Sequence, residues 1–560
     1  MTSVTDADNP PTRMIDYLKT LKPNFSPSRY LTKFGSLKTN QDRVNFIYRD
    51  MKKLNFYPKY FKDSKDDGAA IASQKQGDVF FGKGYYHEAI IEYTRSIATA
   101  KSRGVLSRSY ANRSACLFKI NMFKECLVDI DRALANNYPD HLKRQLHERQ
   151  SQATRLMRPS ERFHEDTPCI PEPQRNPLIE SASDAVRIEM NEKWGRHVIA
   201  TREIKIGEVL SVERPFACTL LMERLIHCHH CLEFCYNPVP CEFCTLIVFC
   251  SEQCKAKAVI SYHKYECAIY FSLIACGMHP VQMLALKVTL LAKEDFGLLS
   301  TLTVDLEEVY RSDRYREIHK LMAATNKQSV KSLYDKAEFA AWVFHFLDSC
   351  TMFFKRPNTR NKKDIFKEVL LLQLQICELN GLGILEVHYD FTKNVLQTFG
   401  VGLYSFSSLF NHACCPNVEG FQYGSTMVMK AMKTIKEGEQ CCISYGMSYG
   451  NCPKELRQEV LRTKFFFKCE CEACKFNWRE WNATSQFRSP LFMDLKMNPM
   501  EIMFMETELA RGNMVSVHQF LARLLPQLKR CENFEPWGNA LKIKRLVELC
   551  YRLLANRRRV

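Results

Sequence analysis

Between Cys228 and Cys267 the chain sets out four pairs of soft metal ligands: Cys228-x2-Cys231, Cys241-x2-Cys244, Cys250-x3-Cys254 and His263-x3-Cys267. Both members of a pair must reach one ion at about 2.0–2.3 Å, and short spacings allow that. Eight ligands in forty residues are enough for two closed tetrahedral zinc sites. Among 25 cysteines in 560 residues, four such pairs in one stretch are not the pattern of scattered core thiols. With every coordination position filled by protein, both ions would be structural, and so short a segment would draw most of its stability from them. Cys235 falls between pairs and is not expected to be a ligand.

A second constellation lies near residue 411. Asn411-His412-x-Cys414-x-Pro416-Asn417 is followed by Gly438-Glu-Gln-Cys-Cys-Ile-Ser-Tyr445 and then by Cys469-x-Cys471-x2-Cys474. Three cysteines need a fourth ligand to close a tetrahedron, and Cys414 is the natural candidate. A third zinc held by Cys414, Cys469, Cys471 and Cys474 would staple the Asn411-His412 loop against the chain after Tyr445, building a pocket from distant pieces.

The elements that must carry these groups are legible in outline. A chain of 560 residues, 46% hydrophobic and 25% charged, has ample core material for three or four domains. Residues 1–68 read as an irregular or helical lead-in without an assigned role. From 69 to 155 the period is helical: Gly77, Phe81, Gly84, Tyr85, Ala89, Ile90, Tyr93 and Ile97 alternate small and large, and a second pass begins 34 residues after Gly77, at Ala111. Pro159, Pro168, Pro171, Pro173 and Pro177 make 156–182 a linker, since proline removes backbone donors and fixes φ. Short strands are expected at Val186–Met190, Gly195–Ala200 and Ile206–Val212, broken by Gly195 and Gly207. Residues 268–370 read as packing helices, and helices return after Cys474 at 499–509, 515–528 and 537–554. The closing Arg557-Arg558-Arg559 reads as a solvated end.

The finger's spacing and single histidine resemble the MYND finger. That resemblance implies a cross-brace, with Cys228, Cys231, Cys250 and Cys254 on one zinc and Cys241, Cys244, His263 and Cys267 on the other. The flanking segments resemble a SET domain with a cysteine-rich post-SET closure, and the 34-residue period resembles tetratricopeptide repeats. Together they resemble the SET–MYND (SMYD) lysine methyltransferases, and the repeats point to the family's fourth subfamily. The fold class implied is α+β: a β-rich SET domain split by a MYND finger, with a helical N-terminal region and a short C-terminal helical lobe that walls the substrate cleft. The partition is 1–68 lead-in, 69–155 repeats, 156–182 linker, 183–227 first SET part, 228–267 finger, 268–370 helical insertion, 371–450 SET core, 451–475 post-SET segment and 476–560 C-terminal lobe.

The resemblance implies S-adenosylmethionine as methyl donor and a protein lysine as acceptor. Tyr445 would be the catalytic tyrosine beside the methyl group; Gly195, Arg196 and His197 would meet the methionine part; Asn380, Asn411 and His412 would contact the cofactor; and Phe467 would pack on adenine. Two positions depart from the family pattern. His197 stands where a second glycine is common, and Phe465 replaces a second tyrosine two residues before Phe467. An altered or weakened enzyme is therefore expected, and a non-catalytic MYND/repeat adaptor in transcriptional repression is the competing reading. In the repeats, Gln74 and Asp78 replace the lysine and asparagine of the carboxylate clamp, although Asn112 matches, so acidic chaperone tails are not expected to bind.

The net charge of +17 suits acidic partners, but the basic residues are dispersed and equally suit a soluble basic surface. Direct nucleic-acid binding is not expected, because the ligand pattern resembles a protein-binding module; proline-containing peptides are the expected partners of the finger. The polar start with Asp6 and Asp8 shows no secretory signal, and no apolar run approaches the roughly 20 residues of a membrane span. Many cysteines without a signal imply a reducing compartment. The expected location is cytoplasmic and nuclear, and the expected state is a monomer.

Overall fold

Helical structure begins well before residue 69. In the computed structural model, which describes residues 12–157, 164–222, 224–297, 309–355, 360–389, 394–479, 498–536 and 538–559, the lead-in forms helices Met14–Leu21, Pro27–Gly35 and Asn40–Leu54. Asp6, Asp8, Pro159 and Trp537 lie outside the described residues. Ser26 and Thr39 start the second and third helices by accepting the backbone N–H groups of Arg29 and Asp42. Their apolar faces, with Phe34, Val44, Ile47 and Met51 fully buried, pack on the long helix Val330–Cys350. Edge-on ring contacts fix the seam: Phe34 on Tyr334 at 5.2 Å and Tyr48 on Phe344 at 5.0 Å. The lead-in is thus a cover for the helical insertion, a role only tertiary packing reveals.

The chain divides into two units. The first comprises Met1–Arg162, Cys218–Ser300 and Ala323–Glu378. Within it, Asp67–Gly82 pairs with Tyr86–Thr99, Arg103–Lys119 with Phe123–Ala135, and Lys143–Arg155 closes the stack. The small/large alternation has a direct cause: a Cβ on Gly77 would sit 2.6 Å from the ring of Tyr93. Asp78 accepts from Tyr93 Oη (2.7 Å) and from Asn112 Nδ2 (3.1 Å), so the two clamp positions bond to each other.

The finger is clamped onto this helical stack. Fully buried Arg113 makes a two-pronged pair with Asp129 (2.6 and 2.9 Å) and donates onward to the Pro238 carbonyl (3.2 Å). Arg132 donates to the Asn237 carbonyl (2.7 Å), Lys65 to the Cys241 carbonyl (2.7 Å), and Asp63 accepts from both the backbone and the hydroxyl of Thr245.

The second unit comprises Phe163–Ala217, Thr301–Met322 and Leu379–Val560. The hairpin Val186–Asn191/Gly195–Ala200 is in the register Asn191 opposite Gly195. Val418–Tyr423, Thr426–Ala431 and Val209–Glu213 form a second sheet, in that order. Gly381–Tyr389 pairs antiparallel with Asn394–Leu403, and Asn411–His412 pairs in parallel with Cys442–Ile443. C-terminal helices Pro499–Ala510, Met514–Cys531 and Gly538–Leu554 pack on these sheets through Leu509, Val517, Leu524 and Val547. No helix among the described residues is long and apolar enough to cross a membrane.

Three expectations need correction. The strand expected from Ile206 starts at Val209, because Gly207 turns the chain at φ 85°. The insertion helix runs on to Asn380, since Leu370, Leu371, Leu374 and Cys377 keep a helical period of buried residues. The terminal arginines are no solvated end: Arg557–Arg559 is a strand parallel to Gly381–Tyr389. Arg557 is only 7% exposed and donates to the Leu553 carbonyl (3.0 Å), while Arg558 reaches His388 (3.3 Å) and Glu386 (3.8 Å). A buried carboxylate on the neighbouring strand is what makes arginine tolerable there.

Lys430 is a costly residue in this core. Its ammonium lies 5.0 Å from the ring centroid of Tyr551, and burial lowers its pKa from 10.5 to about 8. The unfolded chain binds the proton more tightly between those values, so stability rises with pH from 8 to 10.5. Lys430→Met is expected to stabilise the protein by about 2–3 kcal/mol at pH 7. Thermal unfolding should show that advantage shrinking towards pH 10.5.

Candidate functional site

A tetrahedron with metal–sulfur bonds of ~2.3 Å has edges of roughly 3.8 Å. Among the described residues, three groups of cysteine and histidine side chains have edges near that length. In the first, Cys231 Sγ lies 3.7 Å from Cys250 Sγ and 3.8 Å from Cys254 Sγ, with Cys228 completing the set. In the second, Cys241 Sγ is 3.8 Å from Cys267 Sγ and 3.3 Å from His263 Nε2, which is 3.6 Å from Cys244. The third joins Cys414 to Cys469 (3.9 Å) and Cys474 (3.5 Å), with Cys471. All twelve cysteine and histidine residues singled out by spacing therefore meet in three sets of four, with the finger pairs alternating between two sets, and each donor set suits zinc. The local backbone serves this: His230 and Phe243 donate their N–H groups to Cys228 and Cys241 sulfurs (3.4 Å each), and a π-turn at Val259–His263 sets the histidine. Cys235 belongs to none of the sets.

The Cys414 set holds the pocket together. His412 is the link: its Nδ1 accepts the backbone N–H of Tyr445 (3.0 Å), and its Nε2 faces Cys414 Sγ at 3.4 Å. An Nδ1 acceptor puts the ring proton of a neutral imidazole on Nε2, directed at the sulfur. Both ring nitrogens are thus committed, leaving His412 its backbone and ring face for a ligand. The Cys414 carbonyl accepts from Tyr449 N (2.9 Å), tying in the chain beyond the tyrosine.

Tyr445 donates its phenol to the Phe410 carbonyl at 3.0 Å, and burial pushes its pKa above the ordinary tyrosine range. Its ring packs 5.0 Å from Phe465 and 5.2 Å from His412, while Phe467 lies 6.1 Å from His412. Phe466 between them has φ 63°, a left-handed turn that costs a non-glycine residue about 1–2 kcal/mol. That turn ends helix Lys454–Lys464, where Phe465 N and Phe467 N both bond to the Leu461 carbonyl.

Asn411 donates to Gln440 Oε1 (3.1 Å) and lies 3.5 Å from the Trp194 carbonyl, so it braces the Gly195 turn. Gly195 has φ 64°, and a Cβ there would meet nothing within 4 Å, so the turn borders open space of the kind an extended ligand needs. Arg196 donates to the Lys320 carbonyl (2.8 Å), and Asn380 Nδ2 to the Met322 carbonyl (2.8 Å). Ser408 Oγ in turn donates to the Asn380 carbonyl (3.3 Å), placing Asn380 beside the loop that leads to Asn411. His197 is only 2% exposed and folds back on the Gly195 carbonyl (2.9 Å), so any ligand contact there falls to its backbone.

Two supports had no signal in the spacing. Glu213 accepts from Phe406 N (2.8 Å), Ser407 N (2.7 Å) and Ser407 Oγ (2.5 Å), fixing the turn that presents the Phe410 carbonyl. Arg457, fully buried, donates to the Cys452 carbonyl (2.6 Å) beside the sulfurs of Cys414 and Cys474. Four thiolates around a divalent ion leave a net negative charge, which a buried guanidinium offsets.

The SET domain family matches residues 195–446, a span that holds Gly195, Asn380, Asn411, His412, Cys414 and Tyr445 and ends before Phe465, Phe467 and the Cys469–Cys474 ligands. Protein-lysine N-methyltransferase SMYD4 of Danio rerio is 24% identical over 516 residues, covering 76% of this chain and 68% of that protein. SMYD4 of Homo sapiens is 21% identical over 543 residues, covering 73% and 67%. Histone-lysine N-methyltransferase SMYD3 of Homo sapiens is 26% identical over 286 residues, covering 50% and 60%. A split β-rich domain with this pocket and an interposed cysteine finger defines a SET-domain protein. Residues 195–446 match the SET domain, and the chain is similar to proteins of the SET and MYND domain-containing (SMYD) family. Its likeness to the SMYD4 proteins extends over about three quarters of its length.

Proposed function

We propose that this protein is an S-adenosylmethionine-dependent protein-lysine N-methyltransferase. The observation that carries the reading is the junction at His412, next to Asn411, where one imidazole accepts the backbone N–H of Tyr445 and faces Cys414 of the four-cysteine set. An adaptor needs no such junction. The relatives named as protein-lysine methyltransferases support the same activity.

S-adenosylmethionine, when bound, supplies an electrophilic methyl group on a sulfonium centre. Gly195, Arg196, His197, Asn380, Asn411, His412 and Phe467 are the residues of this chain that would hold it. Tyr445 orients the acceptor: its hydroxyl proton is committed to the Phe410 carbonyl, which leaves the oxygen lone pairs to accept from an amine N–H. A free lysine has pKa ~10.4, and the apolar rings of Phe465 and Phe467 beside Tyr445 disfavour its ammonium form, so its proton passes to water before the neutral amine takes the methyl group. Phe465 provides ring surface but no second hydroxyl. That difference favours the runner-up, a weakly active enzyme or a MYND/repeat adaptor in repression complexes, if activity proves low.

Three structural zinc ions per chain, tetratricopeptide-type repeats, a finger that takes proline-containing peptides, and a monomer working in cytoplasm and nucleus complete the proposal. Calorimetric titration of the zinc-replete protein with S-adenosylmethionine tests it, and saturable binding is expected at one site per chain. No heat of binding with all zinc in place would leave the adaptor reading.

A further inference from the structure

The second finger site has a carboxylate behind it that no ligand spacing announces. Glu266, 2% exposed, places Oε1 3.0 Å from His263 Nδ1 and 2.7 Å from His229 Nε2. His263 belongs to the Cys241 set, whereas His229 lies between Cys228 and Cys231 of the other set. One buried oxygen therefore bridges a ligand of one site and the knuckle of its neighbour.

His229, Glu266 and His263 could be read as a further metal site, since their donor atoms cluster. The distances decide against it. Ligands at about 2.0–2.2 Å from one tetrahedral ion stand more than ~3.2 Å apart. The observed 2.7 and 3.0 Å are hydrogen-bond distances. His263 Nε2 already faces Cys241 and Cys244, so its ring proton sits on Nδ1, where Glu266 accepts it. On the far side, the knuckle is pinned by buried Lys287, which donates to the carbonyls of His229 and Cys218 (2.8 Å each).

We propose that Glu266 is a positioning residue that couples the two finger sites. It holds His263 in the tautomer that ligates through Nε2 and, through His229, ties that orientation to the Cys228–Cys231 knuckle, so that the two ions are gained and lost together. The proposal rests on the zinc assignment above.

Full-length protein reconstituted with cadmium-113 tests it, because each site gives its own NMR resonance and the site with a histidine ligand is separable from the two all-cysteine sites. On titration with a chelator, the two finger resonances of the wild type are expected to fade together. In Glu266→Ala the resonance of the histidine-containing site should vanish at roughly 10-fold lower chelator, ahead of its neighbour. His229→Phe should separate the two losses while leaving the histidine-containing site near its wild-type affinity, and Glu266→Gln should fall between. Unchanged, simultaneous loss in Glu266→Ala would overturn the proposal, as would wild-type finger resonances that fade separately. A wild type that binds no metal in the finger would instead overturn the zinc assignment itself.

Discussion

Tyr445→Phe is expected to lower methyl transfer to protein lysines by on the order of 100-fold while leaving cofactor affinity within about threefold. The substitution keeps the ring, and with it the packing on Phe465 and His412. It deletes an oxygen whose proton is tied to the Phe410 carbonyl and whose lone pairs are left to accept from the amine in the proposed reaction. A factor of 100 corresponds to about 2.7 kcal/mol of barrier, the scale expected when an acceptor amine is no longer aligned. Because the phenol stays protonated, tyrosine ionisation should not shape the pH–rate profile below pH 10. Single-turnover rates alongside equilibrium binding check the split; equal loss of both would mean that Tyr445 only supports the cofactor pocket.

Cys414→Ser should have the larger structural effect. Removing one thiolate opens a closed site whose metal contributes on the order of 10 kcal/mol. The consequence passes directly to the pocket, because His412 loses the sulfur that faces Nε2 while its Nδ1 still carries Tyr445 N. The expected result is two zinc ions per chain in place of three, and cofactor binding at least ~100-fold weaker, with the finger sites intact. Cys415 packs against the same cluster and offers a second thiol as a substitute ligand. The double variant Cys414→Ser/Cys415→Ser excludes that rescue. Metal analysis showing three ions in the double variant would contradict the assignment.

What could be read from residue order follows from the range of the interaction involved. Metal ligands come in short pairs because two side chains must reach one ion, so the pairs were visible before any fold, whereas the sharing of the finger pairs between two sets was implied by the resemblance to the MYND finger. The strand Gly195–Ala200 was visible because a hairpin leaves a glycine at its turn, although its burial does not alternate: His197 to Ala200 are all buried. Other features depend on partners far along the chain. Nothing around residue 457 announces that Arg457 sits behind Cys414, and nothing in Arg557-Arg558-Arg559 announces Glu386 on a neighbouring strand. Phe466 belongs to the same class: a left-handed turn normally marked by glycine is flanked here by Phe465 N and Phe467 N, both bonded to the Leu461 carbonyl. The lead-in helices were opaque because their apolar faces only make sense against Val330–Cys350.

The central claim is methyl transfer to lysine in a pocket closed by the Cys414 set. Its most direct measurement is incubation of the purified full-length protein with a proteome and S-adenosylmethionine labelled in the methyl group, followed by hydrolysis and amino-acid analysis. The account predicts label in methylated lysine, abolished by Cys414→Ser/Cys415→Ser and sharply reduced by Tyr445→Phe. Label in another amino acid, or lysine labelling equal in wild type and Tyr445→Phe, would contradict it.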